Sequence, residues 1–97
     1  MMRYVVLLKF TDKGISQVQD SPARAEAFKK AAAQAGATIE AQFWTLGKYD
    51  GIIVFSAPDE NVGVALALNL GKLGFVHTNT LRAFQADEFK NILTQTP

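Results

Sequence analysis

The chain contains no cysteine, one histidine and only three prolines in 97 residues. Without cysteine there can be no disulfide, thiolate metal site or cysteine nucleophile, which fits a reducing compartment. A lone histidine without closely spaced carboxylates leaves no ligand set for a transition metal. Neither sign of charge dominates: ten Lys/Arg stand against nine Asp/Glu, with a net charge of +1 and a pI near 8.0. Such a field is too weak to attract nucleic acid or an anionic membrane, so neither is expected as a partner. No stretch approaches the roughly 18 apolar residues of a membrane span. Met1-Met2-Arg3 runs directly into a strand and leaves no room for a signal-peptide core, so a cytoplasmic location is expected.

What is present is ordinary for a globular protein: 48% of residues are hydrophobic and 20% charged. The length suits one domain, 1–97. A core of this size leaves apolar surface uncovered, and association of copies often completes the burial.

Residues 4–10, Tyr-Val-Val-Leu-Leu-Lys-Phe, are apolar at nearly every position and predict a strand covered on both faces. Residues 11–19 read as a polar loop. Ser21-Pro22 predicts a helix start, with Ser21 as N-cap and Pro22 at the first helical position. That helix should run to about Ala35 and end at Gly36, with Phe28 as its one large anchor among alanines. Residues 38–46 and 51–57 predict two strands closed into a hairpin by residues 47–51. Asp59-Glu60 opens a second helix over about 61–73, apolar nearly all round and stopped by Gly74. A fourth strand over 75–85 and a short tail helix over 87–93 complete the chain.

The resulting order, β-α-β-β-α-β, is the ferredoxin-like α+β arrangement: a four-stranded antiparallel sheet with both helices on one face. Strict alternation along the second and fourth strands directs Ile39, Ala41, Phe43 and Leu81 toward the helices. It leaves Glu40, Gln42, Trp44, Thr78, Thr80 and Arg82 on the open face. With a two-sided apolar first strand, such a face is expected to pack against a second copy around a polar cavity.

"K-Y-D-G-I-I-V-F-S-A-P-D" (residues 48–59), with "F-T-D-K-G-I" and "Q-D-S-P-A-R" upstream and "T-N-T-L-R-A-F" downstream, resembles the GYD-domain family of small bacterial proteins. The likeness covers nearly the whole chain in order. The family's name-giving Gly-Tyr-Asp reads Lys48-Tyr49-Asp50 here, with Gly47 one place earlier. The resemblance implies the dimeric α/β-barrel group, which includes small monooxygenases, isomerases and stress-response barrels. It brings no established activity and no cofactor.

Seven residues are candidates for a ligand site, each with a structural alternative. Tyr49 and Asp50 either line the mouth of a cavity or set the hairpin, where Asp-Gly is itself a turn signal. Asp12 and Arg24 belong to polar stretches that could form a binding loop; equally, Arg24 could pair with Asp20 or Asp12. His77 is the residue type suited to proton transfer near neutral pH, although a lone strand histidine is usually structural. Trp44 and Arg82, on the proposed open face, could hold a planar anion or simply stack. No catalytic group is assigned. The leading expectation is a small-molecule binding protein whose cavity lies between helices and sheet or between paired sheets. The alternatives are a cofactor-independent isomerase or oxygenase with His77 or Asp50 as proton acceptor, and an assembly module without a ligand.

Overall fold

The computed structural model describes residues 1–97. Its elements are β1 (Met2–Phe10), α1 (Asp12–Ser16), a 3-10 turn (Val18–Asp20), α2 (Ser21–Gln34), β2 (Thr38–Trp44), β3 (Gly51–Ala57), α3 (Glu60–Lys72), β4 (Val76–Ala83) and α4 (Ala86–Leu93). The strands form one antiparallel sheet in the order β2-β3-β1-β4. With α2 and α3 against it, this is the ferredoxin-like fold that the element order predicts. None of the helices is long and apolar enough to cross a membrane.

Residues paired across antiparallel strands share a face, so the register sorts the side chains. Tyr4, Val6 and Leu8 pair with Phe55, Ile53 and Gly51 and point toward the helices. There Tyr4, Val6, Ile53 and Phe55 join Phe28 and Ala32 of α2 and Leu66 of α3 in the buried core. The Tyr4 and Phe55 rings stack at 5.3 Å, and Phe28 meets Phe55 edge-on at 6.4 Å. α3 comes close because residue 63 is glycine: a Cβ there would lie 2.3 Å from the Tyr4 ring.

Local signals explain most boundaries. Asp59 caps α3, its Oδ1 accepting from Val62 N at 2.9 Å. α2 ends at Gly36, whose φ of +83° permits Ala37 N to donate back to Ala32 O at 2.8 Å.

Four expectations are corrected. Residues 11–19 are not a loop. Thr11 accepts from Gly14 N at 3.0 Å and opens α1, while its hydroxyl donates to Gly74 O at 2.6 Å. A Cβ on Gly14 would fall 1.9 Å from Phe75 O, so this one-turn helix depends on a contact distant in sequence. Second, Ser21 does not cap α2; the preceding 3-10 turn leads directly into the helix. Third, the face assignment of β2 beyond Ile39 is reversed. Ile39 pairs with Phe55 but Ala41 pairs with Val54, so Glu40 is an unpaired bulge residue. From there Gln42 and Trp44 face the helices, and Ala41 and Phe43 face outward.

β4 is reversed in the same way. Arg82, Thr80 and Thr78 pair with Tyr4, Val6 and Leu8 on the helix side; Leu81, Asn79 and His77 pair with Val5, Leu7 and Lys9 on the open side. The open face therefore has an apolar centre, with polar residues such as His77, Asn79 and Lys9 toward its margins. Val5, Leu7, Ile52 and Val54 form its centre, with Phe43 (61% exposed) and Leu81 (47%) on either side.

At one end of that face Arg3 grips Glu40 in a two-point ion pair, Nε–Oε1 2.6 Å and Nη2–Oε2 2.8 Å. Hydrogen bonding from Arg3 holds the Glu40 carboxyl below its ordinary value near 4.5. A lowered carboxyl stabilises the fold above that ordinary value, and the contribution fades as pH falls through the lowered one. We expect the stability gap between wild type and Glu40→Gln, measured by urea unfolding, to be small at pH 7, as suits an exposed pair. It should close as the pH is taken below 4.5.

Candidate functional site

α2 presents Ser21, Arg24, Ala25, Phe28, Ala31 and Ala32 toward the sheet, a stripe with the 3-to-4-residue spacing of a helix face. Five of the six are small or polar at their inner end, and Phe28 alone fills depth. The alanines that favour the helix therefore leave unfilled space between α2 and the sheet. The result is a cavity of about 380 Å³ at the end of the sheet where β1, β2 and α3 finish and α2, β3 and β4 begin. This lies within the range of roughly 300–1,000 Å³ usual for small-molecule sites.

Leu8, Gly51 and Ile53 line the sheet side, Leu70 and Leu73 the α3 side, and Phe10 and Phe75 the end. Polar groups are few: Ser21, Arg24, Gln42, Asp50, Asn69 and the indole of Trp44. Trp44, about half exposed, leans from the β2 edge to α2 and donates from Nε1 to Ser21 Oγ at 2.9 Å. Ser21 itself has helical backbone angles, so its hydroxyl is not used as a cap, and the bond from Trp44 leaves the serine proton free to donate.

Arg24 makes neither of the ion pairs expected with Asp20 or Asp12. Its guanidinium lies 4.0 Å from the Phe75 ring centre, and Nη1 donates to Gln17 O at 3.2 Å. Nη2 is buried and has no acceptor.

Asp50 has a structural task at the cavity rim. Its Oδ2 accepts from Phe10 N at 2.8 Å, and its own N donates to Leu8 O at 2.8 Å. The carboxylate thus takes the place of a strand acceptor beyond the last β1–β3 pair. Thr45 completes the hairpin, donating from N to Asp50 O at 2.9 Å and from Oγ1 to Tyr49 O at 2.7 Å. The left-handed conformation in this turn falls on Gly47, with φ +112°, whereas Gly51 has no positive φ. The glycine before Lys48 therefore carries the turn role. Gly51 is needed for closeness, since a Cβ there would meet Phe43 O at 3.2 Å.

Of the seven candidates, the fold brings Trp44, Asp50 and Arg24 to this cavity and sends the others elsewhere. Tyr49 lies on the open face, where its hydroxyl accepts from Asn79 Nδ2 at 3.4 Å. His77 is exposed on that face opposite Lys9. Asp12 opens α1. Arg82 is on the helix side but at the far corner, donating to the Arg3 and Ala83 carbonyls and stacking 4.5 Å from Phe84. Three strand spacings and four residues separate it from Trp44, roughly 20 Å. Trp44 and Arg82 therefore do not share a site. Sequence reading missed Phe75, Gln42 and Asn69; only contacts between distant segments bring them together.

The sequence profile of the GYD domain family matches residues 4–93. Among solved structures the chain is similar to TTHA0845 from Thermus thermophilus. The TM-score is 0.52 and the identity 22%, over 89% of this chain and 96% of that one. This likeness concerns the fold. No curated protein matches the sequence.

The hairpin bonds lead to a pair of expected outcomes. Asp50→Ala strands the Phe10 N–H and should cost roughly 1–3 kcal/mol in chemical denaturation. Tyr49→Phe, which removes only a long, exposed hydrogen bond, should leave the denaturation midpoint nearly unchanged.

Proposed function

This chain belongs to the GYD-domain family, and on that premise we propose that it is a small-molecule binding protein whose ligand occupies the cavity between α2, α3 and the sheet. The observation that carries this reading is the cavity itself: about 380 Å³, mostly apolar walls, and a few polar groups among the lining residues. Natural cores pack to crystal-like density, and an unfilled space of this size costs stability. Alanines at 25, 27 and 31 keep it open, although larger helix-forming residues would close it.

The groups at the cavity favour binding over proton-transfer catalysis. Asp50 already accepts a backbone N–H, and His77 is on the other side of the sheet. Of the two proton acceptors that the isomerase or oxygenase alternative names, only Asp50 is at this cavity, and its Oδ2 is already committed to Phe10 N.

We assign the open sheet face to self-association. An antiparallel sheet with one packed face normally shows solvent a polar one. Here Val5, Leu7, Ile52, Val54, Phe43 and Leu81 make that side a continuous apolar surface, larger than isolated exposed residues produce. A second copy laid face to face would cover it.

Two measurements test these readings. Ala31→Leu should fill the cavity. It should abolish binding of the uncharged fluorophore N-phenylnaphthylamine while raising stability by about 1 kcal/mol; undiminished binding would overturn the cavity as the site. Phe43→Glu places a charge in the apolar face, so native mass spectrometry should show a dimer for wild type and a monomer for the variant. A monomeric wild type at micromolar concentration would refute the association.

A further inference from the structure

We infer that the ligand of this cavity is a carboxylic acid with an apolar body, its carboxylate received by Arg24; the inference rests on the reading of the cavity as a binding site. The starting observation is an imbalance within the chain. A guanidinium has five N–H donors and no acceptor, and buried donors in native proteins nearly always find a partner. Arg24 is held in place on two sides, by the Phe75 ring and by Gln17 O, yet its Nη2 is buried and without an acceptor. No carboxylate of the protein neutralises it: the one ion pair in the chain is Arg3–Glu40. Asp50, the other charged residue lining the cavity, makes no ion pair with Arg24 and is engaged by Phe10 N.

The surroundings define the acid more closely. The Phe75 ring also holds Lys13, whose Nζ is 4.4 Å from its centre and donates to Leu73 O at 3.4 Å; Lys13 is not among the lining residues, which leaves Arg24 as the cation of the cavity. Ser21 Oγ already accepts from Trp44 and keeps its own proton to donate. One guanidinium edge plus one hydroxyl suits the two oxygens of a carboxylate. A phosphate, with three oxygens and a greater charge, would need more donors than these. The remaining walls, from Leu8 and Ile53 to Leu70 and Leu73, are mostly apolar, interrupted by Gln42, Asn69 and Asp50, and call for a hydrocarbon or aryl body.

Isothermal titration calorimetry with matched probes decides the matter: octanoate against octanamide, and phenylpropionate against phenylpropionamide. Each acid should bind wild type about tenfold or more tightly than its amide, with an advantage that shrinks at high salt. Arg24→Gln should lower the acid to the level of the amide and leave amide affinity unchanged, and Arg24→Lys should recover part of the loss. If Arg24→Gln does not fold, the acid–amide difference in wild type and its salt dependence decide instead. Equal affinity of acid and amide for wild type, or an acid affinity untouched by Arg24→Gln, would overturn the assignment of Arg24 and leave the apolar site standing. Failure of all four probes to bind would overturn both.

Discussion

Between Ile39 and Ala41 the pairing of β2 with β3 skips Glu40, and both surfaces of the sheet follow from that skip. Before it, Ile39 packs under the helices. After it, the parity of β2 is reversed, because successive side chains point to opposite faces and one extra residue exchanges them. Trp44 is thereby brought to the helix side, where its indole reaches Ser21 and closes part of the cavity. Phe43 is brought to the open side, where it extends the apolar surface of Val54 and Ile52. The bulge residue itself is tied down by Arg3, which reaches across β3 from β1. Without the skip, Trp44 would be on the bare face and the cavity would lose that wall.

The cavity has a second cause in the inner stripe of α2. A helix rich in alanine forms readily but fills little volume, and Phe28 alone reaches the core from its middle. The sheet does not move in to compensate, because it is held elsewhere. Tyr4 and Phe55 stack beneath Gly63 at the other end, and Asp50 locks the β1–β3 end through Phe10 and Leu8. Protein cores do not deform continuously, so space between two fixed contacts persists. At the rim of this space α1 packs its Gly14 against the Phe75 carbonyl, while the Phe75 ring carries Lys13 and Arg24. Arg24, the cation lining the cavity, is thus held by an aromatic ring that a packing contact puts in place.

The element order, seven of the strand and helix segments and the helix-ending glycines could be read directly, since each follows from neighbours within a turn or two. Gly36 and Gly74 have the positive φ that a helix end requires, and Asp59 caps the helix it precedes. That β1 and β3 are apolar strands was equally legible, but which of their residues point inward was set by the register, which turns Ile53 and Phe55 toward the helices. Tyr49-Asp50-Gly51 was legible as a hairpin device, though the mechanism differs in detail. The carboxylate serves β1 rather than its own turn, and the left-handed residue is Gly47.

Local sequence was silent wherever a distant partner makes the decision. The parity of β2 depends on an unpaired residue that alternation cannot reveal, since Ile39, Ala41 and Phe43 form a perfect two-residue period through the bulge. β4 is an edge strand, half-exposed on both sides, so its polarity gives no contrast between faces. α1 is too short to hold by propensity and exists because Thr11 and Gly14 meet Gly74 and Phe75. Composition and periodicity by themselves determined an antiparallel α+β fold and its strand and helix order, because propensity and patterning act over short distances. Which side chains share a cavity, that Arg24 Nη2 is left without an acceptor, and that Trp44 and Arg82 are at opposite corners were decided only by tertiary structure, because each depends on contacts between segments far apart in the chain.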